Sequence, residues 1–314
     1  MNEKRMISLI IPIFNEEKNI PILYEHVKKV VDSTPHLWEL IFVNDGSRDG
    51  SVTELQKIRD IDSRVKIIDF SRNFGKEIAM TAGINNCRGD ACMMIDADLQ
   101  HPVELIPEFI KKWEDGAEVV VGVRKKNKGE GIVKKAGSYF FYKIINRISD
   151  MKIVSQATDF RLLDREVINE FNKMTERNRM TRALIDWMGF RRQYINFEAN
   201  ERLHGEASYS FWKLLRLAFN SIVSFSLFPL RIAGYLGIFI TLISGLLGLF
   251  IFITKYVIGS MEFSGPAILA VVTLFLIGIV LICLGLIALY IANIHAEVSN
   301  RPLYIIRKST SNIE

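Results

Sequence analysis

Two aspartates one residue apart, Asp96 and Asp98, stand at the end of the apolar run Ala91 to Ile95, with Gln100 and Pro102 directly after them. Carboxylates that close, aimed the same way from the end of a buried strand, repel each other unless positive charge lies between them. A divalent cation meets that need. The oxygen donors Asp96, Asp98 and Gln100 suit a hard ion such as Mg2+ or Mn2+, which keeps coordination positions for substrate phosphates. Asp-X-Asp also occurs in turns and helix caps, so the triplet gains chemical meaning only from its surroundings.

The elements that would position these acids alternate between short β-rich runs and helical segments, the pattern of a parallel sheet wound with helices. Strands are expected at Ile7 to Ile13, Trp38 to Val43, Val65 to Phe70, Ala91 to Ile95 and Glu118 to Val121. Helices are expected at Glu16 to Val31, Ser51 to Arg59, Lys76 to Asn86 and Val103 to Glu114. Polar residues follow every strand: Asn15 and Glu16; Asn44, Asp45 and Gly46; Ser71 to Lys76; Asp96, Asp98 and Gln100; Gly122 and Arg124. In an open parallel sheet these positions share one edge, where ligands bind. The Gly75-Lys76 pair lacks the upstream glycine and following hydroxyl residue of a Walker phosphate loop, and no Gly-X-Gly-X-X-Gly occurs.

The 314 residues hold more than one such domain. Ile232 to Thr254 and Phe263 to Ile294 contain no charged residue, and each passes the length test for a membrane-spanning helix. Arg231 before them and Arg301, Arg307 and Lys308 after them place both chain ends on the cytoplasmic side. The N-terminal stretch lacks a secretory signal pattern, so the first 200 or so residues are expected in the cytoplasm. A net charge of +5 fits an anionic membrane surface and phosphorylated substrates, and no nucleic-acid-binding motif is present. Cys87, Cys92 and Cys283 form no Cys-X-X-Cys pair and read as apolar fillers in a reducing compartment.

Five segments carry a family resemblance: Ile-Pro-Ile-Phe-Asn-Glu (11–16), Val-Asn-Asp-Gly-Ser (43–47), Ser-Arg-Asn-Phe-Gly-Lys (71–76), Asp-Ala-Asp-Leu-Gln-His-Pro (96–102) and Asp-Phe-Arg-Leu-Leu (159–163). In this order they resemble the motif series of family 2 glycosyltransferases, and more narrowly that of polyprenyl-phosphate glycosyltransferases with two C-terminal membrane helices. The resemblance implies an α/β GT-A fold, a nucleotide-sugar donor, Mg2+ or Mn2+, a polyprenyl (undecaprenyl) phosphate acceptor and a homo-oligomer, with a tetramer plausible. It places Pro12, Phe14, Glu16 and Asp45 at the nucleoside, with Lys76 adding charge nearby. Asp96, Asp98 and Gln100 fall at the metal and diphosphate, and Asp159 at the acceptor, as the acid often taken for the catalytic base. Because a lipid phosphate is already largely ionised at neutral pH, Asp159 need only orient or accept a residual proton.

The remaining segments fit the same picture. Residues 125–130 read as a charged loop, and Ile132 to Ile148 as a basic, aromatic helix suited to a membrane interface. On it Lys134 and Ser138, one helical turn apart, resemble the family's acceptor-phosphate pair; Arg124 and Arg202 complete the expected lipid-phosphate side. Residues 202–209 resemble the segment Arg-X-X-Gly-X-Ser-Lys-Tyr/Trp, with Ala207-Ser208 replacing Ser-Lys. The expected organisation is a cytoplasmic GT-A domain over 1–206, an interfacial amphipathic helix over 207–230, and two spans, about 232–254 and 266–294, within 231–314. The reaction the resemblance implies is inverting transfer of glucose or N-acetylglucosamine from a uridine-diphosphate sugar to undecaprenyl phosphate at the bacterial inner membrane. A polymer or protein acceptor, or a silent membrane scaffold, are the competing readings.

Overall fold

The computed structural model describes residues 4–125, 157–177, 179–198, 246, 249, 253, 265–308 and 311. The chain divides into two compact units, one of Met1–Asn146, Met151–Ser208 and Arg301–Glu314, the other of Arg147–Asp150 and Tyr209–Asn300.

The first unit is built on β1 (Met6–Ile13), β2 (Leu37–Asn44), β3 (Val65–Asp69), β4 (Ala91–Met94), β5 (Val119–Arg124), β6 (Ala157–Asp164) and β7 (Arg192–Phe197). These form one sheet in the order β3-β2-β1-β4-β6-β5-β7. The pairs β1/β2, β1/β4, β2/β3 and β5/β7 are parallel, and β6 runs antiparallel to both β4 and β5. The five expected strands form a parallel set, and two strands not expected from the sequence join them: β6, the one reversed strand, and β7, parallel to β5.

Strand β1 is apolar on both faces, with Ile7, Leu9, Ile10, Ile11 and Ile13 all fully buried, as a strand covered by helices on both sides must be. Helices α1 (Asn19–Val31), α2 (Ser51–Ile61) and α4 (Ile106–Glu114) supply Leu23, Val27, Leu55, Phe109 and Trp113 to the core on one face. On the other face lie α3 (Lys76–Asn86), α5 (Arg165–Lys173) and α6 (Thr181–Trp187). A Cβ added at Gly83 would lie 2.2 Å from Ile10 Cγ2, so only glycine lets α3 rest this closely on β1.

Besides shifts of one or two residues at several other ends, three boundaries differ from the sequence reading near the site. Helix α1 starts at Asn19, not Glu16, because Asn15 turns the chain with a left-handed φ of 57° and the Glu16 carbonyl accepts from Asn19 N. The segment from Val103 opens with a 3-10 turn, Val103–Leu105, before α4 begins. Gly122 and Arg124, expected beyond the fifth strand, lie inside β5, because pairing to β7 continues as far as Arg124 opposite Phe197.

In the second unit, α7 (Gly265–Val298) is a continuous helix of 34 residues. Many of its side chains are outside the described residues, and among those described no helix is long and apolar enough to cross a membrane. The expected interfacial helices at 132–148 and 207–230 and most of the first expected span lie outside the described residues, as do Lys134, Ser138 and Arg202.

Candidate active site

The site forms where the reversed strand meets β4. Met94 pairs with Arg161 in antiparallel register, and two further residues along each chain stand Asp96 and Asp159. The ammonium of Lys76, first residue of α3, joins them: its Nζ lies 2.6 Å from Asp96 Oδ1 and 2.8 Å from Asp159 Oδ2. Burial works against the lysine's charge, but the two carboxylates more than offset it and push its pKa above the ordinary value. Burial would likewise raise Asp159, yet Lys76, Arg182 and Arg161 outweigh it and hold its pKa at about 2. Asp159 is thus a fixed negative charge at any physiological pH.

A cavity of about 190 Å³ opens here, lined by Asp96, Gln100, His101, Arg124, Asp159 and Arg182 among others. That volume suits a phosphate or part of a sugar ring, whereas pockets for whole drug-sized ligands start near ~300 Å³. The imidazole of His101 is buried, stacked on Phe160 with ring centroids 5.0 Å apart, and its Nδ1 accepts from Asp96 N at 3.0 Å. Burial, the leading influence, lowers its pKa and favours the neutral ring, which the accepting Nδ1 requires. His101 therefore orients the backbone that presents Asp96.

The cavity brings Asp96, Gln100, Arg124 and Asp159 together, with Lys76 bridging the two acids. Asp98 does not line it: its Oδ1 accepts from Gln100 N at 3.2 Å across a turn in which Leu99 takes a φ of 62°. Arg182 was not foreseen. Its side chain lines the cavity, its charge acts on Asp159 and Glu77, and among the described residues its guanidinium makes no hydrogen bond or ion pair. The only sequence signal was its membership of a basic cluster (Arg177, Arg179, Arg182), which gave no hint that α6 reaches the β4 edge.

Pro12, Phe14, Glu16 and Asp45 gather at the ends of β1 and β2. Phe14 is 45% exposed there, and Glu16 Oε2 accepts from Asn19 Nδ2 at 2.6 Å. Asp45 is buried and turned toward its own chain, accepting from Phe74 N at 2.6 Å and Gly75 N at 2.9 Å. Burial raises its pKa, and the two N–H donors and Arg72 offset only part of that. Next to it, Gly46 has a φ of 66°, and a Cβ there would sit 2.4 Å from the Arg72 carbonyl carbon, so the 71–75 loop packs directly on glycine backbone.

For a divalent cation, the residues offer oxygen donors only, from Asp96, Asp98 and Gln100. Among the described residues no group of three or more His, Cys, Asp or Glu is arranged to hold a metal ion by itself. This donor set fits a hard ion that takes its remaining oxygens from a bound diphosphate and water, and does not fit a dedicated all-protein cage.

A mostly parallel, Rossmann-like sheet whose central strand ends in an acidic motif, faced by a third acid on a reversed strand, is that of a GT-A glycosyltransferase domain. Residues 8–171 match the model of "Glycosyl transferase family 2", and the chain belongs to that family. Over 96% of its length it is 44% identical to the "Uncharacterized glycosyltransferase YkcC" of Bacillus subtilis, covering 93% of that protein. It is 40% identical to the "SfII prophage-derived bactoprenol glucosyl transferase" of Shigella flexneri, with 96% of this chain and 98% of that one covered. To the "Prophage bactoprenol glucosyl transferase homolog" of Escherichia coli it is 37% identical, again over 96% and 98%.

Proposed function

We propose that the protein transfers a sugar from a nucleotide-sugar, UDP-glucose or UDP-N-acetylglucosamine, to undecaprenyl phosphate at the cytoplasmic face of a bacterial membrane, with inversion at the anomeric carbon. The observation that carries this reading is the Lys76 bridge between Asp96 and Asp159, in a cavity that also holds Arg124 and Arg182. Acids and cations alternate around a space of phosphate size, as a reaction between two phosphate-bearing substrates requires. Relatives named bactoprenol glucosyl transferase, similar over nearly the whole chain, support the lipid acceptor.

The acceptor phosphate oxygen forms the new bond to the anomeric carbon while the bond from that carbon to the donor diphosphate breaks, its electron pair leaving with the nucleoside diphosphate. Asp96, Asp98 and Gln100 would hold Mg2+ or Mn2+, which supplies Lewis-acid stabilisation of the departing diphosphate. Lys76 adds a fixed positive charge beside that position, pre-oriented by two carboxylates. Asp159 holds Lys76 and orders the acceptor side; with a pKa of about 2 it has little affinity for a proton. Arg124 and Arg182 bind the acceptor's phosphate, and Phe14, Glu16 and the loop organised by Asp45 accept the nucleoside.

Two membrane spans, over about 232–254 and 266–294, keep the site at the lipid surface. The charge-free runs support them, as does the length of α7, whose 34 residues extend about 51 Å against a hydrocarbon core of about 30 Å. So do the exposed apolar side chains Leu269, Leu276, Val280, Leu284, Ile291 and Ile294 along that helix.

The test incubates the purified chain with radiolabelled UDP-glucose or UDP-N-acetylglucosamine and undecaprenyl phosphate. Label should enter the organic phase with Mg2+ or Mn2+, vanish with chelator, and fall by at least about 100-fold in Asp96→Ala. Label appearing only in polymer or protein, or turnover in Asp96→Ala near that of the parent, sinks the proposal.

A further inference from the structure

The last described stretch of the chain belongs to the first unit, where it extends the sheet at its β3 edge. Phe70, just beyond β3, forms an antiparallel bridge with Ile306. Ser71 N donates to the Ile305 carbonyl at 2.9 Å, and Arg307 N donates to the Asp69 carbonyl at 2.8 Å. The Arg307 guanidinium donates to the Ser71 carbonyl at 2.9 Å, and Asp69 N donates to Ser311 Oγ at 3.0 Å. The Tyr304 ring stacks on Phe70, centroids 5.1 Å apart and planes 18° from parallel, and its hydroxyl lies 3.4 Å from both Asn85 Nδ2 and Asn86 Nδ2 of α3.

What this tail holds is the root of the 71–75 loop. Phe70, clamped by Tyr304, carries the Phe74 ring edge-on at 5.6 Å, and the Arg72 guanidinium lies over Phe74 at 4.0 Å. On its other side the loop is fixed by Asp45 and by contact with Gly46. It ends at Lys76, whose ammonium sits between the two acids of the site. A loop gripped from two sides has two independent fixings, and the tail is one of them.

We infer that residues 301–308 are a positioning segment for the donor: by stacking Tyr304 on Phe70 and bonding Arg307 to Ser71, the tail sets the 71–75 loop in the shape that binds a nucleoside diphosphate. This inference rests on the reading of the site as a nucleotide-sugar site. No motif in the tail announces it. Tyr304 and Arg307 touch no reacting atom; they act through the loop.

The test uses the full chain purified in detergent, with UDP and GDP titrated calorimetrically in the presence of Mg2+, and donor and acceptor kinetics measured separately. Tyr304→Ala and deletion of 301–314 should each weaken nucleotide binding and raise the donor KM by about tenfold or more, since small misplacements of binding groups carry losses of that order. The acceptor KM should stay within about twofold, and Tyr304→Phe, which keeps the stack, should bind nucleotide like the parent. If the deletion does not fold, the Tyr304→Ala and Tyr304→Phe pair decides alone. Unchanged nucleotide affinity in a folded Tyr304→Ala chain overturns the inference, and so does an equal rise in donor and acceptor KM. Should the parent chain itself bind neither UDP nor GDP, the nucleotide-sugar reading fails instead, which is a separate outcome.

Discussion

At the residue scale, the chemistry turns on how three charges share one small space. Asp159, at about 2 against about 3.9 for a free aspartate, has its folded-state pKa depressed. The stability it contributes is therefore complete above the unfolded value and is lost as pH falls through about 2. Between about pH 5 and 8 it stays ionised, so kcat/KM should show no acidic limb that belongs to it. A limb in the parent profile that disappears in Asp159→Asn would restore the general-base role. Arg182, whose guanidinium has no direct partner among the described residues, should matter through phosphate. Replacing it with Gln should raise the KM of the lipid phosphate by about tenfold to 100-fold, with partial recovery in Arg182→Lys; steady-state kinetics with varied acceptor check this. The acids at 96 and 159 and the lysine at 76 were legible because each stands next to an apolar run or within a motif. Arg182 was not, because it acts from a helix whose placement depends on long-range packing.

At the element scale, β6 does most to shape the site, since it brings Asp159 to β4 against the direction of its neighbours. It is tied to α6 by a buried ion pair: Arg161 Nη1 lies 2.9 Å from Asp186 Oδ1, with side chains 1% and 5% exposed. Arg161 also donates to the Thr158 and Arg182 carbonyls, and Arg192 meets Asp186 at 3.2 Å. Removing one member leaves the other charged and buried, so Asp186→Ala should destabilise the domain by about 3–5 kcal/mol, read as a lowered midpoint in denaturant or thermal unfolding. An unchanged midpoint counts against the pair as an anchor. The parallel strands and their helices could be read from sequence because apolar runs and turn residues alternate regularly. The reversed direction of β6 could not, since an isolated run such as Phe160 to Leu163 has the same pattern whichever way it enters a sheet.

At the scale of the whole molecule, the proposed spans predict that the chain stays in the pellet when membranes are washed with alkaline carbonate; release into the supernatant would rule them out. Charge-free length makes such a span visible in sequence, whereas the return of the tail to β3 leaves no comparable trace, because it joins backbone bonds any residue can make to scattered single side-chain contacts. That return also fixes an order of events. The ribosome makes β3 early and residue 306 only after the long helix α7, so the edge at Phe70 and Ser71 stays open through most of synthesis. An unpaired edge is a place where strands of other chains can add. The nascent domain is thus completed last beside the 71–75 loop, which is not finished until α7 has already been made.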